Sequence, residues 1–249
     1  MERWIEQEFE QVFENIKGIL KVTYKEKRDE CKKLFNFLGH LFVLTDIGED
    51  IYRVEGDGIP FYISALTVRT YLEFLANLLQ GAYHSAGRSL RWLYEANLAG
   101  ATACIDPSLL DDQFKGKKSI TLDEFEKWLA LYDKRERKLK RSNIFKALKL
   151  PKDELQNLYS DLCKYSHISK TSFDKKLIWP KLQYIPEKFD EILGLTWKTL
   201  DLVLWLECNV LLRYEGTERA FRDFLKYLGA LTSYIPMTAE LLFNLINRS

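Results

Sequence analysis

Residues 65–103 read ALTVRTYLEFLANLLQGAYHSAGRSLRWLYEANLAGATA, and their periodicity decides the fold class. Turned through roughly 100° per residue, Leu72, Leu75, Leu78, Leu79, Ala82, Ala86, Leu90, Leu93 and Ala96 fall on one broad arc. Glu73, Asn77, Gln80, His84, Arg88, Arg91 and Glu95 fall opposite. No proline interrupts the run, and His84/Arg88 and Arg91/Glu95 stand at i,i+4, where helical side chains meet. Phe74, Tyr83, Trp92 and Tyr94 fill the flanks, so neighbours are expected on several sides. Gly81, Ser85, Ala86 and Gly87 make a narrow waist where another backbone can come close. The pattern predicts an all-α, multi-helix bundle with a long central helix over 65–103.

The polar strip has two readings. Charged side chains are mostly solvated, which makes His84, Arg88, Arg91 and Glu95 an ordinary outer face with surface pairs. If the strip is roofed instead, the same four groups must satisfy one another or a ligand, because buried unpaired charge is costly. Bulky Trp92 and Tyr94 beside the strip keep the second reading open.

Outward from the centre, residues 2–44 carry helical spacing from Ile5 through Leu20 and again from Cys31 to Leu38, as one helix or two. His40, inside FLGHLFVL, reads as a packed histidine. Residues 46–63 break the pattern. Ile51–Val54 and Ile59–Ile63 flank Glu55-Gly56-Asp57-Gly58, which reads as a small β-hairpin over 51–63, an arm with Pro60 on an edge strand. Thr121 and Glu124 form a capping box ahead of another helix. Pro151 suits the first turn of the next, which ends at His167. A loop at 168–186 follows, long enough to be functional. Helix resumes from 187 to 214, and its window Leu193–Leu212 is apolar nearly all round, as a second central helix or a dimer seam. All 249 residues read as a single α-helical domain.

Lys134 to Lys149 holds eight basic residues against one acid. Arg135, Arg137, Lys138, Lys140 and Arg141 form a candidate nucleic-acid contact, neutralising phosphates while Tyr132 and Phe145 offer rings for stacking. The plainer reading is a solvated helix end whose cations suit the helix dipole.

Composition narrows the class. A formal charge of +1 excludes a wholesale polyanion binder but not a local basic patch. Four scattered cysteines at 31, 104, 163 and 208 read as reduced thiols of a cytoplasmic protein. No run of about 18 apolar residues marks a membrane span. There is no phosphate-binding glycine loop, no dinucleotide fingerprint, no HExxH and no zinc spacing, so neither cofactor nor metal is expected.

Two short pieces resemble helical proteins of the HEPN superfamily, including its abortive-infection-like members. One is Arg91-Trp-Leu-Tyr-Glu95, similar to their R-x-x-x-E. The other is Tyr159 through His167-Ile-Ser169, similar to their helix end. Together they cover about a tenth of the chain. The resemblance implies an all-α bundle, frequent homodimers and, in active members, metal-independent RNA cleavage by Arg-x4–6-His. That motif is absent, because no arginine stands at 33–35, 77–79 or 160–162, the positions that leave four to six residues before His40, His84 or His167, and Asp161 sits where one is expected. The resemblance therefore implies a non-catalytic or divergent module binding RNA or a protein, with a place in the defence biology of such families. The alternatives are an enzyme acting on a phosphate-bearing substrate through His84, Arg88, Arg91, Glu95 and His167, and a structural, oligomeric interaction protein.

Overall fold

A computed structural model describes residues 2–134, 136–166 and 182–246. Among them the chain is all-helical. The order is α1 (Glu2–Glu26), α2 (Arg28–Glu55), α3 (Gly58–Leu79), α4 (Tyr83–Ile105), α5 (Leu122–Asp133), α6 (Arg141–Ala147), α7 (Lys152–Ser166), α8 (Pro186–Leu211), α9 (Thr217–Leu228) and α10 (Pro236–Ile246), with short 3-10 turns at Pro107–Leu109, Asp112–Phe114 and Gly229–Tyr234. Helix α4 is the hub, packed against α3, α7 and α8. No described helix is long and apolar enough to cross a membrane.

The hairpin expected over 51–63 is not there. Residues 51–55 are the last turn of α2 and 58–63 the first turns of α3. Gly56, at φ 75°, closes α2 by returning its N–H to Tyr52, a left-handed C-cap that glycine accepts without strain. One residue later the Asp57 carboxylate accepts from Ile59 N at 3.1 Å and opens α3. Pro60 lies in the first turn of α3, where its missing N–H costs no hydrogen bond. The glycine, aspartate and proline of a tight β-turn are also the signals of one helix ending and another beginning.

The expected central helix over 65–103 is likewise two helices. It breaks at Gln80–Ala82 because Gly81 adopts φ 75°, and the backbone of Gln183 crosses so closely there that a side chain at 81 would overlap its carbonyl. The apolar arc survives the break: Leu75 and Leu78 before it and Ala86, Leu90 and Leu93 after it are buried, and Leu72 alone of these leucines is exposed. Tyr83 helps hold the crossing segment, its hydroxyl accepting from Ile185 N at 2.9 Å.

The apolar window Leu193–Leu212 is consumed inside the chain, with Leu200, Leu202, Val203, Leu204, Leu206 and Leu211 all buried. Helix α8 is thus a second core helix, and its composition does not call for a partner copy. His40 is packed edge-on against Phe37 and Phe224, and burial lowers its pKa. The Thr121/Glu124 capping box forms.

Asp201 of α8 serves as the cap of α10. Its carboxylate accepts from Met237 N at 3.0 Å and from Thr238 N at 2.9 Å, and the Thr238 hydroxyl donates to it as well. Two N–H groups at the start of α10 are thereby satisfied. Asp201→Ala should cost about 2 kcal/mol and speed hydrogen exchange in α10 before the rest of the core. Uniform loss of protection would show that the cap does not hold the last helix locally.

Candidate functional site

The polar strip of α4 runs from solvent into the protein. His84 and Arg88 are exposed, Arg91 is half-buried, and Glu95 is only 5% exposed, while Glu73, counted on the same strip, lies on α3 beyond the break and is exposed. What covers the lower half is the basic run. Helix α5 stops at Asp133, and residues 136–140 fold back as irregular chain before α6 begins at Arg141. Asp111 and Asp112, in the turn after α4, hold that segment down. Arg137 pairs with Asp111 at 2.7 Å and Lys140 with Asp112 at 3.3 Å. Trp128 Nε1 also donates to Asp111, at 3.3 Å. The basic run is therefore neither a free helix end nor an open surface ladder.

The result is a cleft of about 480 Å³ between α4, the end of α5, the 137–141 segment and α7. Two features that stand some forty residues apart in the chain line it together. Arg88 and Arg91 of the strip face Arg137, Lys138 and Arg141 of the basic run, and the carboxylates among the lining residues are Glu95 and Asp133. Five cations against two anions make the cleft electropositive in a chain of nearly zero net charge.

Glu95 organises the floor. Its Oε1 accepts from Arg91 Nε and Nη2, both at 3.3 Å, and lies 3.8 Å from Arg141 Nη1. The Tyr132 hydroxyl donates to the same carboxylate. Arg91 Nη2 also donates to the Tyr159 hydroxyl at 3.0 Å, and the Arg141 guanidinium lies over the Tyr159 ring, 3.5 Å from its centre. Such a cation over a ring face is attractive. Burial, the Glu95 charge and a hydrogen bond to Cys163 push the Tyr159 hydroxyl up to about 12. Burial and Glu95 push Tyr132 higher still. Both phenols keep their protons at neutral pH. With Glu95 hydrogen-bonded to Arg91 and Tyr132 and paired with Arg141, the floor presents donors to an incoming anion and no unengaged base.

Arg88 and Lys138 differ from the other cations. Both are exposed at the cleft, and neither has an acidic partner among the described residues. The remaining candidates lie elsewhere. His84 packs its ring against Tyr165, 5.8 Å between centres, outside the cleft lining. Lys140 is spent on Asp112. Arg135, His167 and most of the 168–186 loop fall outside the described residues. Tyr94 and Phe145 are both fully buried in the core and offer no free face. Asp161 pairs with Lys164 at 2.7 Å, on α7.

In the sequence the strip and the basic run stand as separate features, Tyr159 is not among the candidate site residues, and the order of the rings does not show. Trp128, Tyr132 and Trp92 stack as a pile, with interplanar angles of 11° and 22°. Their spacing of four along α5, and the pairing with Trp92 across the cleft, are the signals that contained it.

Comparison of the chain with family models, with curated proteins and with solved structures finds no match. The cleft has to be read from its own chemistry.

Proposed function

We propose that the chain is a binding module for a phosphate-bearing polymer, RNA, which lies in the α4/α7 cleft, and that it does so as a non-catalytic relative of HEPN proteins. The observation that carries the reading is the convergence of strip and basic run. Two unpaired cations, Arg88 and Lys138, stand at the mouth of a cleft whose deeper arginines are held in place by Glu95. Cations without acidic partners are the groups that release counterions when a phosphate arrives. Arginines fixed by a carboxylate and a ring have less side-chain freedom to lose on binding. The relation to HEPN proteins is supported by the meeting of its two short motifs, since Arg91, Glu95 and Tyr159 form one hydrogen-bonded group.

The test is fluorescence anisotropy with a labelled single-stranded RNA across a salt series. Arg88→Glu with Lys138→Glu should weaken binding and lower the salt slope by about two units, one for each phosphate that the cleft then leaves unneutralised. An unchanged slope with intact affinity would place the RNA elsewhere. Absence of RNA binding by the unmutated protein would remove the reading.

A further inference from the structure

We infer that the cleft takes its ligand one nucleobase at a time, with a base stacked on the part of Trp92 that lines the cleft. This rests on the RNA-binding reading and specifies what it leaves open, namely that an unpaired strand is required.

The argument begins with the pile of rings. Trp128 is buried and anchored through Nε1 to Asp111. Tyr132 lies on it at 5.4 Å between centres and is anchored through its hydroxyl to Glu95. Trp92 lies 6.4 Å beyond Tyr132 and closes the series. The first two rings are pinned by hydrogen bonds, so the third rests on a rigid base. Trp92 is half-buried and lines the cleft. Trp92 packs in part on the core, but among the described residues it meets no ring besides Tyr132 and no cation, and its indole N–H has no acceptor. A pile of flat groups that ends half-exposed in an electropositive cleft offers the next place to another flat group.

The second observation is where the unpaired charge lies. Arg88 precedes Trp92 by four residues on α4, so it sits one turn away on the same face, roughly 6 Å along the axis. Lys138 lines the same cleft from the 137–141 segment. A ring face one helical turn from a free guanidinium matches a nucleotide unit, whose base and phosphate are held apart by one sugar. An isolated phosphate uses only the cations. A paired duplex keeps both faces of every internal base covered and cannot offer one to Trp92. Aromatic stacking is indifferent to base identity, so weak sequence preference is expected.

The experiment compares two labelled hexaribonucleotides of equal phosphate count, one of adenines and one abasic throughout, bound to the full chain. The adenine strand should bind about tenfold more tightly and quench tryptophan emission, which the abasic strand should not. Trp92→Leu should bring the adenine strand to the abasic level, and Trp92→Phe, which keeps a smaller ring, should fall between. A melting curve on each variant separates loss of stacking from loss of fold. Equal affinity of the two strands for the unmutated protein overturns the stacking inference while leaving phosphate binding standing. If neither strand binds, the RNA reading has failed and this one with it.

Discussion

Glu207→Gln should make the protein more stable at neutral and alkaline pH, by about 3 kcal/mol at about pH 8, while changing little near pH 4.5. Glu207 lies in α8 at the heart of the α3/α4/α8 contact, 4% exposed. Ser64 donates to one carboxylate oxygen at 3.0 Å, and the other oxygen, Oε1, has no partner. No cation among the described residues pairs with it, and the nearest titratable neighbours, Cys104 and Cys208, are held protonated by burial. Burial raises the carboxyl to about 7, with the Ser64 and Thr67 hydroxyls pulling the other way.

The sign follows from proton counting. Between about pH 4.5 and 7 the unfolded chain has lost this proton and the folded chain has kept it, so stability falls as pH rises through that window and stays low above it. Glutamine carries no charge in either state and keeps an oxygen for Ser64, and Asn97 Oδ1, the other unpartnered acceptor, lines the same small cavity. Urea denaturation at several pH values gives the answer directly. Parallel stability curves for the two proteins would mean that Glu207 is not the buried acid described here.

The second large effect is expected at Gly87→Val. A Cβ at 87 would come within 2.5 Å of both Cβ and Cγ of Tyr165, a distance no pair of carbons tolerates. Tyr165 cannot yield, because it is buried and its hydroxyl is bonded to Glu191 of α8. The overlap is relieved only by moving α7 away from α4, at about 3 kcal/mol or more. Since α7 also carries Tyr159, the same shift should open the cleft and reduce RNA affinity beyond what instability explains. Gly194→Ala is the matched control, because its added methyl meets nothing within 4 Å and alanine should gain up to about 1 kcal/mol in a helix interior. A loss at 194 comparable to that at 87 would show that helix glycines are needed for some reason other than close approach.

The helices themselves were legible because spacing reports which side of a helix is covered. The phase after Gly81 is right, with Ala86, Leu90 and Leu93 inside. Before it Leu75 and Leu78 are also inside, and only Leu72, one turn further back at the edge of the arc, faces solvent. The 51–63 stretch misled for a different reason: Gly56, Asp57 and Pro60 serve a β-turn and a helix junction equally, and only tertiary packing chooses. For the candidate site, the right cations were visible but not their meeting. Arg137 reaches Arg91's neighbourhood because Asp111 and Asp112 pull the 136–140 segment back across α4, and no local pattern announces a contact of that range. Glu207 and Asp201 stand in the apolar 193–212 window as two charges to which spacing assigns no role. One is a buried acid and the other a cap for a helix at the far end of the chain, roles that depend wholly on what surrounds them.

Helix α4 has its closing partner very late in the chain. Asn97, Gly100 and Ala101 meet Leu206, Glu207 and Val210, so about a hundred residues separate the two halves of that contact. At ~5–20 residues per second of synthesis, a nascent chain would carry this greasy flank of α4 uncovered for roughly 5–20 s. During that interval the hub of the finished protein is its most adhesive surface, and a chaperone that shields apolar helices would find it there.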